Sequence, residues 1–255
     1  MEIVNRNKNK VEEYISEMYS LKPLYSNYFN QALTSNDYYC KTAHTLLIAK
    51  PFNGYSRIYV LSDDLEDATQ KLKTLKGINV LNIPSKGNIA HWEQLMALSD
   101  FKLIGLYERF YNTKICQREE IGQIIYAEAS QQEEIYNLFY DSGFFSVYTD
   151  YLPSHEELKQ LIEQKNVIIN MTGEQIQGAF IFLIQGQKCY FQAWIDKSNN
   201  SLKLLFDVYN IMVGKKLGYA YLWVNSENKK VKSIHQLLGA KSDGLKDYTF
   251  IKNSL

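Results

Sequence analysis

The chain has 255 residues, with 28 Lys and Arg balanced by 28 Asp and Glu and an apolar fraction of 45%. That apolar fraction supplies a real core, while zero net charge argues against a protein built mainly to hold nucleic acid, which needs a basic footprint. No apolar run is long enough to cross a bilayer, the longest, Ala179–Ile184, being of strand length, so neither a nucleic-acid nor a membrane partner is expected.

The N-terminal residues 1–14 lack the apolar stretch of a secretory signal. Cys40, Cys116 and Cys189 are far apart and have neither metal-ligand nor disulfide-framework spacing, so the expectation is reduced thiols, no metal and a cytoplasmic location. Twenty tyrosines fit two readings, an aromatic-lined cleft or a compositional bias shared with Asn, Ile and Lys.

In chain order, residues 11–19 and 25–33 read as helices, and 37–43, 44–50 and 55–62 as three strands. Residues 64–75 form a helix capped by Ser62 or Asp63, 78–83 a strand, 88–98 a helix starting on Asn88, and 100–115 a long strand. In the second half, 123–129 alternates as a strand. Ser130 and Glu133 then have the spacing of a capping box, as do Ser154 and Glu157, whose helix carries Leu158, Leu161 and Ile162 on one face. Three β-rich runs follow, 167–171, 176–184 and 189–195, separated by turns at Gly173 and Gly186, which is an antiparallel meander. Leu204, Leu205, Val208, Ile211 and Met212 recur at helical spacing, with Gly218 placed as the stop. Residues 219–225 form a strand apolar enough to be buried on both faces. A helix opening on Asn228 and a last strand, 243–252, close the chain.

The order β-α-α-β-β-β-α-β-α-β in the second half recurs in the first, less an initial strand. The reading is an α/β (α+β) protein of two duplicated domains, 1–118 and 119–255, each a mixed, mostly antiparallel sheet flanked by helices. No Pro-, Gly- or Ser-rich linker lies at the boundary near 116–122.

This element order, with its Asn-started penultimate helix, resembles the GNAT superfamily of acyl-CoA N-acyltransferases. The C-terminal half resembles it throughout and the N-terminal half is similar to a degenerate copy. The family's local motif, Asn-x-x-Ala-x-x-x-Tyr followed by Gly-Phe, is matched by Asn228, Val231 and His235, then Gly239-Ala240. His235 therefore stands where the family often has a Tyr that protonates the leaving thiolate, and the resemblance implies the same role for it. A His titrates near neutrality and can release a proton at working pH. Val231, Ile234, Leu237 and Leu238 form the expected buried stripe, and His235 lies about 90° from its centre, at a wall. The alternative is a boundary His that only packs.

The family's pyrophosphate loop, Gln/Arg-x-x-Gly-x-Gly/Ala, falls on Asp196–Ser201. Asn199 and Ser201 replace the glycines; Asn tolerates the left-handed region and Ser201 can cap the next helix. Asp196 repels phosphates, while Lys197 and Lys203 would offset it. A phosphate cradle of Asn199, Asn200 and Ser201 and a solvated, ligand-free loop both fit. The resemblance further implies that the splayed fourth strand, Ala193, Trp194 and Ile195, receives the pantetheine arm and stabilises an oxyanion, with Asn228 beside it; Trp194 alternatively belongs to the core. No general base declares itself among Glu133, Tyr140, Tyr148 and Tyr151, and the aromatic stretch 144–151 is the expected acceptor loop. In the N-terminal half the equivalent loop, Ser62–Asp67, carries four carboxylates and Leu95 matches His235, so that half is expected to support rather than bind.

The function implied is N-acyl transfer from acetyl-CoA, or another acyl-CoA as co-substrate, to the amine of a small-molecule acceptor. The alternatives are a carrier-protein or aminoacyl-tRNA donor, as in the paired-domain aminoacyl transferases, and a catalytically inactive binding module.

Overall fold

The computed structural model describes residues 2–3 (backbone only), 8–27, 33–52, 54–198 and 202–254. The chain is mixed α/β and forms two compact units, Met1–Leu106 with Leu245–Leu255, and Tyr107–Gly244. Among the described residues no helix is long and apolar enough to cross a membrane.

In the first unit, strands β1 (Glu2–Ile3), β3 (Tyr38–Lys41), β4 (Thr45–Phe52), β5 (Tyr55–Ser62) and β6 (Gly77–Ser85) lie in that order in the sheet, and β2 (Tyr25–Ser26) pairs separately with β5. The N-terminal half therefore does have an initial strand, and Tyr25–Ser26, read from sequence as the start of a helix, is extended; residues 28–32 of that expected helix lie outside the described residues. Helix α1 (Lys8–Ser20) buries Val11 and Met18 against Leu46, Ile48, Tyr59 and Leu61. Helices α2 (Leu65–Lys73) and α3 (Ala90–Leu98) cover the opposite face, on Leu47, Ile58, Val60 and Leu81. This alternation of neighbours along β4 and β5 is the period-two rule at work. The cap of α2 is Asp64, which accepts from the Asp67 backbone N–H, rather than Ser62 or Asp63. Asn88 sits just outside α3 and accepts from Ala90 N at 2.7 Å.

The second unit has β8 (Ile125–Tyr126), β9 (Val167–Thr172), β10 (Gln175–Gln185), β11 (Lys188–Asp196) and β12 (Tyr219–Asn225) in sheet order 8-9-10-11-12. Helix α4 (Gln132–Tyr140) follows a 3₁₀ turn, Ala129–Gln131. The capping box there is Glu128 with Gln131, not Ser130 with Glu133. The box of α5 (His155–Glu163) is Ser154 with Glu157, as the spacing predicts. These two helices bury Ile135, Phe139, Leu158 and Ile162 against Val167, Ile169, Ala179 and Ile181. Helix α6 (Lys203–Gly214) packs on the other face, against Phe180, Phe182, Phe191 and Leu222. It is stopped by Lys216, at φ 56°, with Lys216 and Leu217 N–H donating back to Val213 and Met212. Gly218 is not the left-handed residue. Helix α7 (Lys229–Leu237) follows β12.

Each unit completes its sheet with a strand from the other half of the sequence. Strand β7 (Lys102–Asn112) pairs antiparallel with β12, Tyr107 to Asn112 opposite Asn225 to Ala220. Strand β13 (Lys241–Ser254) pairs antiparallel with β6, Lys246 to Ser254 opposite Ser85 to Gly77.

Candidate active site

The parallel ladder between β11 and β12 runs only from Lys188↔Tyr219 to Phe191↔Leu222. Beyond it both strands continue, each held on its outer side alone. Ala193 to Asp196 stay paired with Ile181 to Gly178 of β10, and Trp223 to Asn225 with Arg109 to Tyr107 of β7. The result is a wedge between neighbouring strands. Its cause is a bulge: Ile181 opposes Ala193 and Phe182 opposes Phe191, so Gln192 is the extra residue. A bulge bends and overtwists its strand. It also re-aims the side chains, so that Phe191 and Trp194 both face α6 while Ala193 and Ile195 face α4 and α5.

The wedge opens into a cleft of about 610 Å³ within the second unit, a volume suited to a small-molecule ligand. Of the residues singled out in the sequence, Ala193, Trp194, Ile195, Asn228 and His235 all line it. Asn199, Asn200 and Ser201 lie outside the described residues. Asn228 also caps α7, its side-chain oxygen accepting from Val231 N at 3.1 Å.

His235 departs from expectation in depth. It is 2% exposed and is the buried residue of α7, whereas Val231, Ile234 and Leu238 are half-buried and Leu237 is 87% exposed. The imidazole sits between Phe191 and Trp194, with ring centroids 6.2 and 6.3 Å away. Burial pushes its pKa down to about 4, because an apolar setting disfavours the charged ring, so it is neutral at pH 7. Its Nδ1, Trp194 Nε1 and Gln192 Oε1 are buried without a hydrogen-bond partner among the described residues. Buried polar atoms are normally paired, and three orphans on one cleft wall are the pattern that a polar ligand would complete.

The loop beyond β11 is less receptive to phosphate. The Asp196 carboxylate accepts from Ser198 N at 2.8 Å and from Asn170 Nδ2 at 3.4 Å. Gly178 lets it approach, since a Cβ there would meet Asp196 Cγ and Ile195 O at 2.8 Å. Lys203, expected to offset Asp196, is instead buried in an ion pair with Asp207, 2.6 Å, and donates to the Gln123 carbonyl at 3.1 Å.

Two polar residues in the cleft were not singled out from the sequence, although Asp150 lies within the expected acceptor loop, 144–151. Tyr107, on β7, donates to Asp150 Oδ1 at 2.9 Å and lies 3.1 Å from Thr149 Oγ1. Asp150 Oδ2 accepts from Ser146 N at 2.8 Å and from Thr149 Oγ1 at 3.2 Å. Burial, then the Asp150 charge, pushes Tyr107 up to about 12, and burial raises Asp150. A single Asp amid the aromatic residues 144–151 was the available signal. Phe144 and Phe145 of that stretch also line the cleft, while Glu133, Tyr140, Tyr148 and Tyr151 do not; the Tyr151 carbonyl accepts from Gln192 Nε2 at 2.6 Å.

The first unit contains the corresponding wedge, filled by its own chain. The β5–β6 ladder covers only Ser56↔Asn79 and Arg57↔Val80. Into the opening beyond comes β2, paired with β5 through Tyr25↔Ser62 and Ser26↔Leu61. Asn27 then bridges both strands, accepting from Val60 N at 2.6 Å and donating to the Ile58 and Asn82 carbonyls at 3.1 and 3.0 Å. Tyr25 is buried edge-on against Trp92, and Leu95 is fully buried in the core of this unit.

No family model and no curated protein matches the sequence. Solved structures do match the fold. A GCN5-related N-acetyltransferase from Sphaerobacter thermophilus superposes with a TM-score of 0.60 at 10% identity, covering 88% of this chain and 82% of that one. A GNAT-family acetyltransferase from Colwellia psychrerythraea gives 0.51 at 14%, covering 94% and 97%. A tandem GNAT protein from the clavulanic acid biosynthesis pathway gives 0.51 at 6%, covering 86% and 82%. At these identities the likeness establishes the fold, and the fold of this chain is that of the GNAT superfamily.

Proposed function

We infer that the cleft of the second unit is an acyl-transfer site, in which a pantetheine thioester, acetyl-CoA in the first instance, gives its acyl group to the amine of a small molecule. The observation that carries this reading is the bulge-opened wedge between β11 and β12 with Trp194 and His235 on its wall. An extended pantetheine arm has amides that can complete the unpaired edges of Gln192–Asp196 and Trp223–Asn225, much as an added strand would. Ala193 and Ile195 stand beside that path, and Asn199, Asn200, Ser201 and Asn228 belong to the same proposed donor subsite.

His235 is neutral here, so it is not a ready store of an imidazolium proton. A neutral imidazole can still relay one, taking a proton at one nitrogen while releasing another to the departing sulfur. In that role its low basicity is no handicap, because the ring never holds a net charge.

The same geometry favours one variation on the donor. With Lys203 tied to Asp207 and Asp196 and Glu227 on the cleft lining, the described surface gives a pyrophosphate little counter-charge. A carrier-protein thioester, which presents pantetheine without the adenosine diphosphate, suits that distribution.

Release of free thiol from acetyl-CoA in the presence of amines tests the reading. His235→Gln is expected to lower the rate by about 100-fold; an unchanged rate would reduce His235 to packing.

A further inference from the structure

Within the cleft, the charged groups are unevenly distributed. Asp150, Asp196 and Glu227 line it against a single lysine, Lys230. Asp196 is engaged by Ser198 N and Asn170. Asp150 is different in kind. Its carboxylate is built into place by three donors from two elements, the Tyr107 hydroxyl of β7 and, from its own loop, Ser146 N and the Thr149 hydroxyl. Beside this group the cleft wall is aromatic: Phe144, Phe145 and Trp223. Phe144 is 77% exposed, an arrangement that leaves a large apolar side chain in water unless something covers it.

We propose that Asp150 is the acceptor-binding carboxylate and general base of this site, and that the acceptor is a cationic primary amine with an apolar or aromatic body and no acidic group. This rests on the acyl-transfer reading of the cleft. The ammonium is drawn to Asp150 and its body lies over Phe144, Phe145 and Trp223, where a cation and an apolar surface are both accommodated. Asp150 takes one proton from the ammonium. The freed amine attacks the thioester carbonyl, the C–N bond forms and the C–S bond breaks. The second nitrogen proton ends on the departing sulfur, and the first passes from Asp150 to water. Its burial-raised proton affinity suits a carboxylate to that task. Tyr107 acts through Asp150 as a positioning residue.

The test uses the full chain with tryptamine as the cationic probe and tryptophan, the same body with a carboxylate, as its control. Direct titration of each without any donor is expected to give binding of tryptamine, at least about tenfold weaker binding of tryptophan, and about tenfold loss of tryptamine affinity in Asp150→Asn. The tryptamine–tryptophan comparison on the unaltered protein needs no variant to fold. Equal binding of the two, or no binding of tryptamine, overturns the proposal. With acetyl-CoA present, Asp150→Asn is expected to lower turnover by about 100-fold or more and to leave acetyl-CoA affinity unchanged. Tyr107→Phe should move the acid limb of the pH–rate profile, which a merely structural role would leave in place. The other titratable groups on the cleft are Asp196, Glu227, Lys230 and His235, and the shift must persist in His235→Gln. Full turnover in Asp150→Asn overturns the assignment of the base while leaving acyl transfer standing. Failure of both acetyl-CoA and pantetheine to bind removes the donor reading, and the amine titration still decides this one.

Discussion

The indole of Trp194 and the imidazole of His235 meet edge to face, their centroids 6.3 Å apart at 84°, and each ring carries a buried nitrogen without a hydrogen-bond partner among the described residues. A core histidine that only packed would be expected to satisfy its nitrogens, since an unmade buried hydrogen bond costs about 1–3 kcal/mol. The pair is therefore the most informative feature of the cleft wall.

His235 makes a definite acid signature. Its folded pKa, about 4, lies below the unfolded value of about 6.5. Between those values the unfolded chain holds a proton that the folded chain does not, so stability falls as pH drops from 6.5 to 4 and levels off below. The contribution amounts to about 3 kcal/mol. Denaturant unfolding across that range should show a steeper acid loss for the wild-type chain than for His235→Gln. Parallel curves would mean that the ring is more solvated than its 2% exposure implies.

Asn27 holds the first unit's wedge shut. Asn27→Ala removes the acceptor from Val60 N–H and the donor from two carbonyls, leaving buried backbone groups unpaired. A loss of about 3 kcal/mol is expected, measured by thermal or denaturant unfolding, with no change in ligand affinity at the second unit. A neutral substitution would show that water or the neighbouring chain replaces those bonds.

Gly178 sets the spacing of β10 against the end of β11. Gly178→Ala would place a methyl 2.8 Å from the Ile195 carbonyl and from Asp196 Cγ, and backbone cannot move aside as a flexible side chain can. The expected destabilisation is about 2 kcal/mol, accompanied by weaker binding of any ligand that threads past Ile195. Wild-type stability and affinity together would contradict the tight register.

Much of the second unit was legible in the sequence because its signals are local. The Ser154–Glu157 box, the β-rich run 176–184 bounded by turns at Gly173 and Gly186, and the apolar stripe of Leu204, Leu205, Val208, Ile211 and Met212 each specify their own element. The start of α4 misled because Ser130–Glu133 and Glu128–Gln131 offer two competing caps two residues apart. The depth of His235 was not legible either. The helix stripe places it at a boundary, and it becomes buried only because the Gln192 bulge turns Phe191 and Trp194 to the same face. Tyr107 had no signal at all. Its position beside Asp150 follows from β7 pairing with β12, and the apolar alternation of a strand says that it pairs without saying with which sheet. The filling of the first unit's wedge by Tyr25–Asn27 was hidden because residues 25–33 read as a helix, and only the pairing with β5 makes Tyr25–Ser26 extended.

The wedge as a pantetheine slot is tested most directly by ligand-dependent stability. Thermal unfolding should be followed with acetyl-CoA, with pantetheine and with neither, at concentrations up to millimolar. A ligand present at 100 times its dissociation constant stabilises by about 2.7 kcal/mol. A rise in Tm is expected with at least pantetheine; no rise with either ligand would contradict a pantetheine slot in the wedge.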